Sequence, residues 1–403
     1  MNNIGDEIEG ELGGDRGYHG YHGRRSASSR SRSPLEENAL YEQMKQLTLS
    51  HSSQNLIQTK KTLITAGQFG PNSACSAINP GVLYRDNEFH LLCRSEPNET
   101  VWRGDFLAYQ AEPLWCTFRD DLTLKESFFL KYSDFPSRSR PEDWRLFEYE
   151  GNLYANHSIY MLLDRQKWTV RSRPGISAID LPNKTINLRW MLEPPFEATY
   201  EEKNWSFFVH EGKLMCLYSF QPYIILEIDL NRGTTQKVLE ADLDYQWYDK
   251  GKFIGNSTNF ISWDRDRYIM FVHDFLDPKY DQRNRTYMQY GISIDKKTLL
   301  PMNVIPQPLV MGGEESGRHP GVHYTSALVN RKDGLYAFYG QGDSHTGVVV
   351  FNKDCLNELF DRYQLTLKNN TIIAKCEDFF NKLSGCLKHH LTSMPFYSIQ
   401  NSK

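Results

Sequence analysis

Between Leu63 and Asn352 the apolar positions come in short runs, rich in aromatic and β-branched residues and broken at close intervals by Gly, Asp and Asn. Helical periodicity is absent over that span, so the texture is that of an all-β chain. Five stretches repeat one shape: a polar residue, an apolar run, a turn, and a second apolar run with a polar end. They are NPGVLYRDNEFHLLCR (79–94), DWRLFEYEGNLYANHS (143–158), NWSFFVHEGKLMCLYS (204–219), STNFISWDRDRYIMFVH (257–273) and YTSALVNRKDGLYAFYG (324–340). Their starts lie 64, 61, 53 and 67 residues apart. The turn chemistry of each predicts a β-hairpin. Five hairpins in units of about 60 residues predict a five-bladed β-propeller over residues 59–353. A pair of β-sandwiches is the rival architecture; the even spacing favours the propeller.

The flanks read differently. Residues 1–58 contain GYHGYHG and RRSASSRSRSP, polar and poor in aliphatics, and are expected to be a disordered tail. Ser33-Pro34-Leu35-Glu36 carries the N-cap, first-turn proline and capping glutamate of a short helix running to Gln46. His19 and His22 are two ligands where a structural metal site needs four. Residues 354–403 show helical spacing in CLNELFDRYQLTL and CEDFFNKLSGCLKHHL and are expected to pack outside or beneath the propeller.

Composition narrows the function. The chain has 403 residues, 39% hydrophobic and 13% aromatic, enough for a large core. Its net charge of -4 gives no general attraction to nucleic acid or anionic membrane. No apolar run spans a bilayer, and the acidic N-terminus MNNIGDEIEGELGG lacks the features of a secretory signal. Seven scattered cysteines without a CxxC fit free thiols in a reducing compartment, so a cytoplasmic location is expected and the sequons at Asn98, Asn156 and Asn204 read as incidental. There is no GxGxxG fingerprint, zinc motif or GxSxG; no cofactor and no metal are expected.

Around a propeller axis, matching positions of the repeats converge. The polar ends Arg94, His157, Tyr218, His273 and Tyr339 are therefore expected to form a ring, with Asp143, Asn204 and Asp343 nearby. The charged knot RPEDWR (140–145) falls beside that ring. Glu142 and Asp143 read either as a solvated turn or as a catalytic acid and its neighbour. Alternation along an extended strand points Glu142 away from Asp143. Arg94, Glu96 and Arg103 read as surface ion pairs or as a guanidinium fork for sugar hydroxyls or phosphate. Of the tryptophans, Trp144 is the candidate sugar platform, and Trp205, Trp247 and Trp263 are core candidates.

NPGVLYRDNEFHLLCRSE, PEDWRLFEYEGNLYA, EKNWSFFVHEGKLMCLYSFQP, GNSTNFISWDRDRYIMFVHDF and the late YGQGD resemble, in order, blade motifs of the β-mannoside phosphorylases, glycoside hydrolase family 130, and related mannosyltransferases. The resemblance covers roughly residues 63–352. It implies a five-bladed propeller and transfer of a mannosyl-like unit, with inversion, to phosphate or a sugar acceptor. Its partners would be a carbohydrate together with phosphate or a sugar phosphate. Asp143 matches the aspartate of the family's E-D-P-R motif and is implied as the general acid. Arg94, Glu96, Arg145, Lys203, Asn204, His273, Tyr324 and Asp343 are implied in holding the sugar or an anion. The chain departs from the family at Trp144, where the motif has proline, and at Gln221, where an arginine is common near the proline. The second departure weakens phosphorolysis. The alternatives are a catalytically silent propeller that binds glycans or a protein, and a five-bladed glycoside hydrolase, for which no convincing second carboxylate is found.

Overall fold

The computed structural model describes residues 56–69, 76–96, 111–136, 139–164, 169–243, 254–276, 285–313, 319–363 and 371–372, with Glu42, Lys45 and Gly317 besides. The described strands form five sheets, each led by one of the five repeated hairpins. The first blade holds Ser76–Arg85, Glu88–Glu96, Glu112–Arg119 and Leu124–Phe129, in that order. The second holds Ser139–Tyr149, Asn152–Asp164, Thr169–Asp180 and Thr185–Met191, with Lys131–Ser133 parallel to the last. The third runs Ser206–His210, Lys213–Phe220, Tyr223–Asp229 and Thr234–Asp242. In the fourth, Gly255–Asn256 and Ile261–Ser262 share the inner edge of Arg267–Leu276, followed by Thr286–Asp295. The fifth holds His323–Asn330, Leu335–Gln341 and His345–Phe351. This is the five-bladed propeller predicted from the hairpin spacing.

The core explains the hydrophobic pattern. Adjacent sheets stack face to face, so both faces of a middle strand are buried. Leu91 packs between blades five and one, while its neighbour Leu92 packs between blades one and two. Phe207 and Phe208 likewise go to opposite sides of the third blade, and Ile269 and Met270 to opposite sides of the fourth. Side chains that alternate between two apolar interfaces give continuous apolar runs rather than alternating ones. Five main clusters result, one per blade interface.

Ring closure is the main feature beyond the hairpins. Ile57–Ile64 pairs antiparallel with His345–Phe351, so the outer strand of the fifth blade comes from the start of the described chain. The strand begins two residues before the expected boundary at 59. Helix α1, Lys353–Arg362, follows the last strand and is capped by Asn352, whose side chain accepts from the Asp354 and Cys355 amides. It buries Leu356, Leu359 and Phe360 against blades four and five. The expected helical spacing stops there: Thr371–Ile372 is a strand that pairs with Ala241 and Asp242 on the outer edge of blade three. The expected helix in CEDFFNKLSGCLKHHL and the tail before Leu56 lie outside the described residues, except that Glu42 and Lys45 are helical. No helix among the described residues is long and apolar enough to cross a membrane.

Candidate functional site

Two inner strands, and the segment that enters a third, carry a polar residue in the left-handed region: Asn79 (φ 48°), Asp143 (φ 58°) and Asn204 (φ 60°). Asn and Asp tolerate this conformation better than other side-chain-bearing residues. The pairing register slips at the first two, between Ile78 and Gly81 and between Glu142 and Arg145. Each slip is a β-bulge, which re-aims side chains that a regular strand would send to opposite faces. That reverses the expectation for Glu142. Glu142 Oε2 lies 3.0 Å and Asp143 Oδ1 3.2 Å from the same nitrogen, Nη1 of Arg94.

The residues that meet at the axis open the five repeats, rather than close them. Asn79 Nδ2 donates to Asp143 Oδ1 at 2.7 Å. Arg145 Nε donates to the Ser257 carbonyl at 2.7 Å, and its Nη2 donates to the Tyr324 hydroxyl at 2.6 Å and Asn204 Oδ1 at 3.3 Å. Positions 79, 143, 204, 257 and 324 are thus the ring. Of the five strand ends expected there, Arg94 and His273 border it. His157 packs at a tilt against Trp144, Tyr218 meets Trp205 edge-on, and Tyr339 stacks on His323, with Trp144, Trp205 and Tyr339 in the blade interfaces. Blade one approaches blade two so closely that a Cβ on Gly81 would lie 2.7 Å from the Trp144 carbonyl oxygen.

A cluster of charge surrounds Asp143. Arg94 Nε donates to Glu96 Oε1 at 2.6 Å. Arg140 Nη2 donates to the same Glu96 oxygen at 2.7 Å, and Arg140 Nε lies 2.6 Å from Glu142 Oε1. Glu96 and Arg140 are almost fully buried, whereas the Asp143 side chain is 21% exposed. Burial pushes the Glu142 carboxyl above the usual range, against the pull of Arg140 and Arg94. Burial acts on Asp143 in the same sense, but Arg94 and the Asn79 hydrogen bond outweigh it and hold this carboxyl below the usual range. Two neighbouring carboxylates are thereby pushed apart in acidity.

Arg145 is buried and bridges blade two to blades three, four and five. Below it an axial cavity of about 330 Å³ runs between the inner strands. Arg145→Ala should cost about 3 kcal/mol of stability, counting roughly 1.5 kcal/mol for each of its two short charge-assisted hydrogen bonds, to the Ser257 carbonyl and the Tyr324 hydroxyl. Denaturant unfolding would check it. A variant of unchanged stability that lost only ligand affinity would make Arg145 a ligand contact instead.

His273 is held by its tautomer. Gln289 Nε2 donates to the His323 carbonyl at 3.0 Å, which turns Gln289 Oε1 toward the Ser257 hydroxyl at 3.1 Å. The single Ser257 proton goes to that oxygen, so His273 Nδ1, 2.9 Å from Ser257 Oγ, must donate. Burial, with Arg145 and Lys203 nearby, depresses the His273 pKa to about 3. A neutral ring offers no charge to an anion. Lys203 Nζ donates to the Tyr160 hydroxyl at 3.2 Å, and Asp343 lies 3.9 Å from His319.

Trp144 is a correction. It is fully buried among Tyr132, Phe135 and His157 and cannot be a sugar platform. Trp205 and Trp263 are core residues, and Arg103 and Trp247 lie outside the described residues. Asn79, Arg140 and Ser257 were missed; the first and last were legible as the polar openers of their repeats. Among the described residues no group of His, Cys, Asp or Glu could hold a metal ion.

No protein-family model matches the chain, and no curated protein matches its sequence. Solved structures do match its fold. A β-1,2-mannobiose phosphorylase from Listeria innocua, in complex with β-1,2-mannobiose, superposes with a TM-score of 0.53 at 14% identity, over 74% of this chain and 96% of that one. A GDP-mannose-dependent mannosyltransferase from Leishmania mexicana gives 0.52 at 12% identity, over 80% and 95%. A structure from work on glycoside hydrolases of the GH130 family that target β-1,2-mannosidic linkages in Candida mannan gives 0.51 at 14%, over 69% and 85%. At these identities the likeness is one of fold: the chain is a five-bladed propeller similar to those of mannoside phosphorylases and a mannosyltransferase.

Proposed function

We propose that this chain is a carbohydrate-active enzyme that transfers a mannosyl-like unit, with inversion, to a hydroxyl of a sugar acceptor at the axial mouth. The observation that carries the reading is the bulge that brings Glu142 and Asp143 together on Arg94. A single inverting displacement needs one group to move a proton at the attacking or the leaving oxygen. Asp143 is ionised, partly exposed and anchored through one oxygen, so it suits taking the proton from the incoming hydroxyl as that oxygen bonds to the anomeric carbon. The donor's anomeric C–O bond breaks on the opposite face, and the phosphate or nucleotide leaving group departs with the electron pair. In the reverse direction the same carboxyl returns that proton.

The acceptor reading favours a sugar over phosphate for a specific reason. Arg94 and Arg140 are engaged by Glu96, Glu142 and Asp143, and Arg145 by the Ser257 carbonyl, Asn204 and Tyr324. Two guanidinium groups, Arg94 and Arg140, share three carboxylates, so this cluster offers little positive charge to a phosphate attacking beside Asp143. Asn204, half-buried beside Arg145, is a hydroxyl-recognising group. The mutual satisfaction of these charges also supports the second reading, a glycan-binding propeller without catalysis.

The test is a screen of mannose-1-phosphate, nucleotide-activated mannose and β-mannosides against a panel of sugar acceptors and phosphate. Glycosyl transfer to a sugar is expected. Phosphorolysis in preference to transfer would overturn the acceptor assignment. Binding of mannosides with no turnover on any pair would leave the glycan-binding reading.

A further inference from the structure

Four of the charged side chains around Asp143 close on themselves. Arg94 meets Glu96 and Glu142; Arg140 meets the same two acids. The result is a cycle of alternating charge, Arg94–Glu96–Arg140–Glu142, drawn from the second strand of blade one and the inner strand of blade two. Asp143 hangs from it by the Nη1 nitrogen of Arg94 that also serves Glu142. Glu96 takes Nε and Nη2 of Arg94 on one oxygen. The cycle therefore fixes which face of the guanidinium is left for Asp143. Asn79 adds the second donor to the same Asp143 oxygen, and Asp143 Oδ2 has no protein partner among the described residues.

Resting on the glycosyl-transfer reading of this mouth, we propose that Glu96 and Arg140 are positioning residues: by closing the cycle they hold Arg94 so that Asp143 stays a proton acceptor with one oxygen open to the acceptor hydroxyl. Neither is placed to touch the ligand, since both are almost fully buried. Glu96 is thereby reassigned from the substrate-holding role that the resemblance implied. Arg140 carries weight because it shares both acids of the cycle with Arg94. A buried carboxylate deprived of its partner is costly, so the remaining guanidinium would be pulled toward the cycle and away from Asp143.

The other charged or titratable groups facing this site are Arg145 on the same strand, Lys203 and the neutral His273 beyond it, Asp343 near Arg94, and Glu112 and Tyr132 beside Arg94 and Arg140. Burial pushes the Glu142 carboxyl up, while Arg94 and Asn79 hold Asp143 down. Loss of the Arg140 cation removes positive charge from the cluster that holds Asp143. It makes the carboxyl easier to protonate.

The experiment is carbon-13 NMR titration of side-chain carboxyls in the full chain, with Asp143 assigned through Asp143→Asn and Glu142 through Glu142→Gln. Arg140→Gln should raise both midpoints, Glu142 by about one pH unit, the low end of what loss of a directly paired charge produces, and Asp143 by less, through Arg94. Arg140→Lys keeps the charge but lacks the fork that spans two acids, and should recover only part of the shift. If Arg140→Gln does not fold, Arg140→Lys alone must still show an upward shift. Unmoved midpoints in a folded variant overturn the proposal. The acid limb of the pH–rate profile should move with the Asp143 midpoint. Shifted midpoints with no transferase activity in the wild type would sink the transfer reading and leave the cycle standing. A shifted pH profile over unmoved midpoints would do the reverse.

Discussion

Asp143→Asn should lower glycosyl transfer on the order of 10²–10⁴-fold, the range of a positioned general acid or base. The amide keeps the shape and can still accept from Asn79 and Arg94 through its oxygen, so the cluster should survive. Only the exchangeable charge at the open oxygen is lost. Binding of donor and acceptor should change much less, since proton transfer is stabilised in the transition state rather than the ground state. Calorimetry and turnover on the same ligands separate the two. Because Asp143 is held below the ordinary aspartate range, the wild type should keep its ionised form, and its rate, down to unusually low pH. Full turnover in Asp143→Asn, with Glu142→Gln dead, would transfer the role to the neighbouring acid.

The second large effect concerns closure of the ring. Removing residues 1–32 should leave the melting temperature unchanged, because that stretch is too polar to contribute to a core. Removing residues 1–66 takes away Ile57–Ile64 and should abolish cooperative unfolding altogether. The fifth blade would lose its outer strand, and the edge of His345–Phe351, now paired at Phe351, Val350, Val349 and Val348, would lie bare. An exposed apolar edge of that kind promotes aggregation. A soluble, cooperatively folding product from the longer deletion would show that the strand is dispensable.

Much of the fold was legible because turn chemistry is local. The Glu150-Gly151 and Glu211-Gly212 turns, and the Asp86-Asn87 turn, place left-handed residues where each hairpin reverses. Blade count followed from their spacing. The closing strand was not legible: IQTKKTLI has exposed threonines and lysines along most of its length, so its pairing with a strand nearly 300 residues away leaves little hydrophobic trace. The site was half legible. Asp143, Arg94, Arg145, Asn204 and Tyr324 came from repeat geometry and resemblance. Their arrangement did not, because a bulge breaks the alternation on which strand reasoning depends. Glu142 was assigned to the wrong side for that reason, and Trp144 to the surface when the same bulge turns it into the interface with blade one. Arg140 has no local signature: its role exists only when Glu96 arrives from another blade.

The ring that Ile57–Ile64 completes also sets an order on synthesis. Ile57 pairs with Phe351, 294 residues later in the chain. At a translation rate of roughly 5–20 residues per second, the strand waits about 15–60 seconds for its partner to be made. Four blades can form as each hairpin emerges, since their four principal strands pair with neighbours in sequence; only the short Thr371–Ile372 edge of blade three comes later. The fifth cannot, and the waiting strand must avoid other β-edges meanwhile. Lys60 and Lys61, on the exposed side of an otherwise pairing-competent segment, are the charges that discourage such encounters.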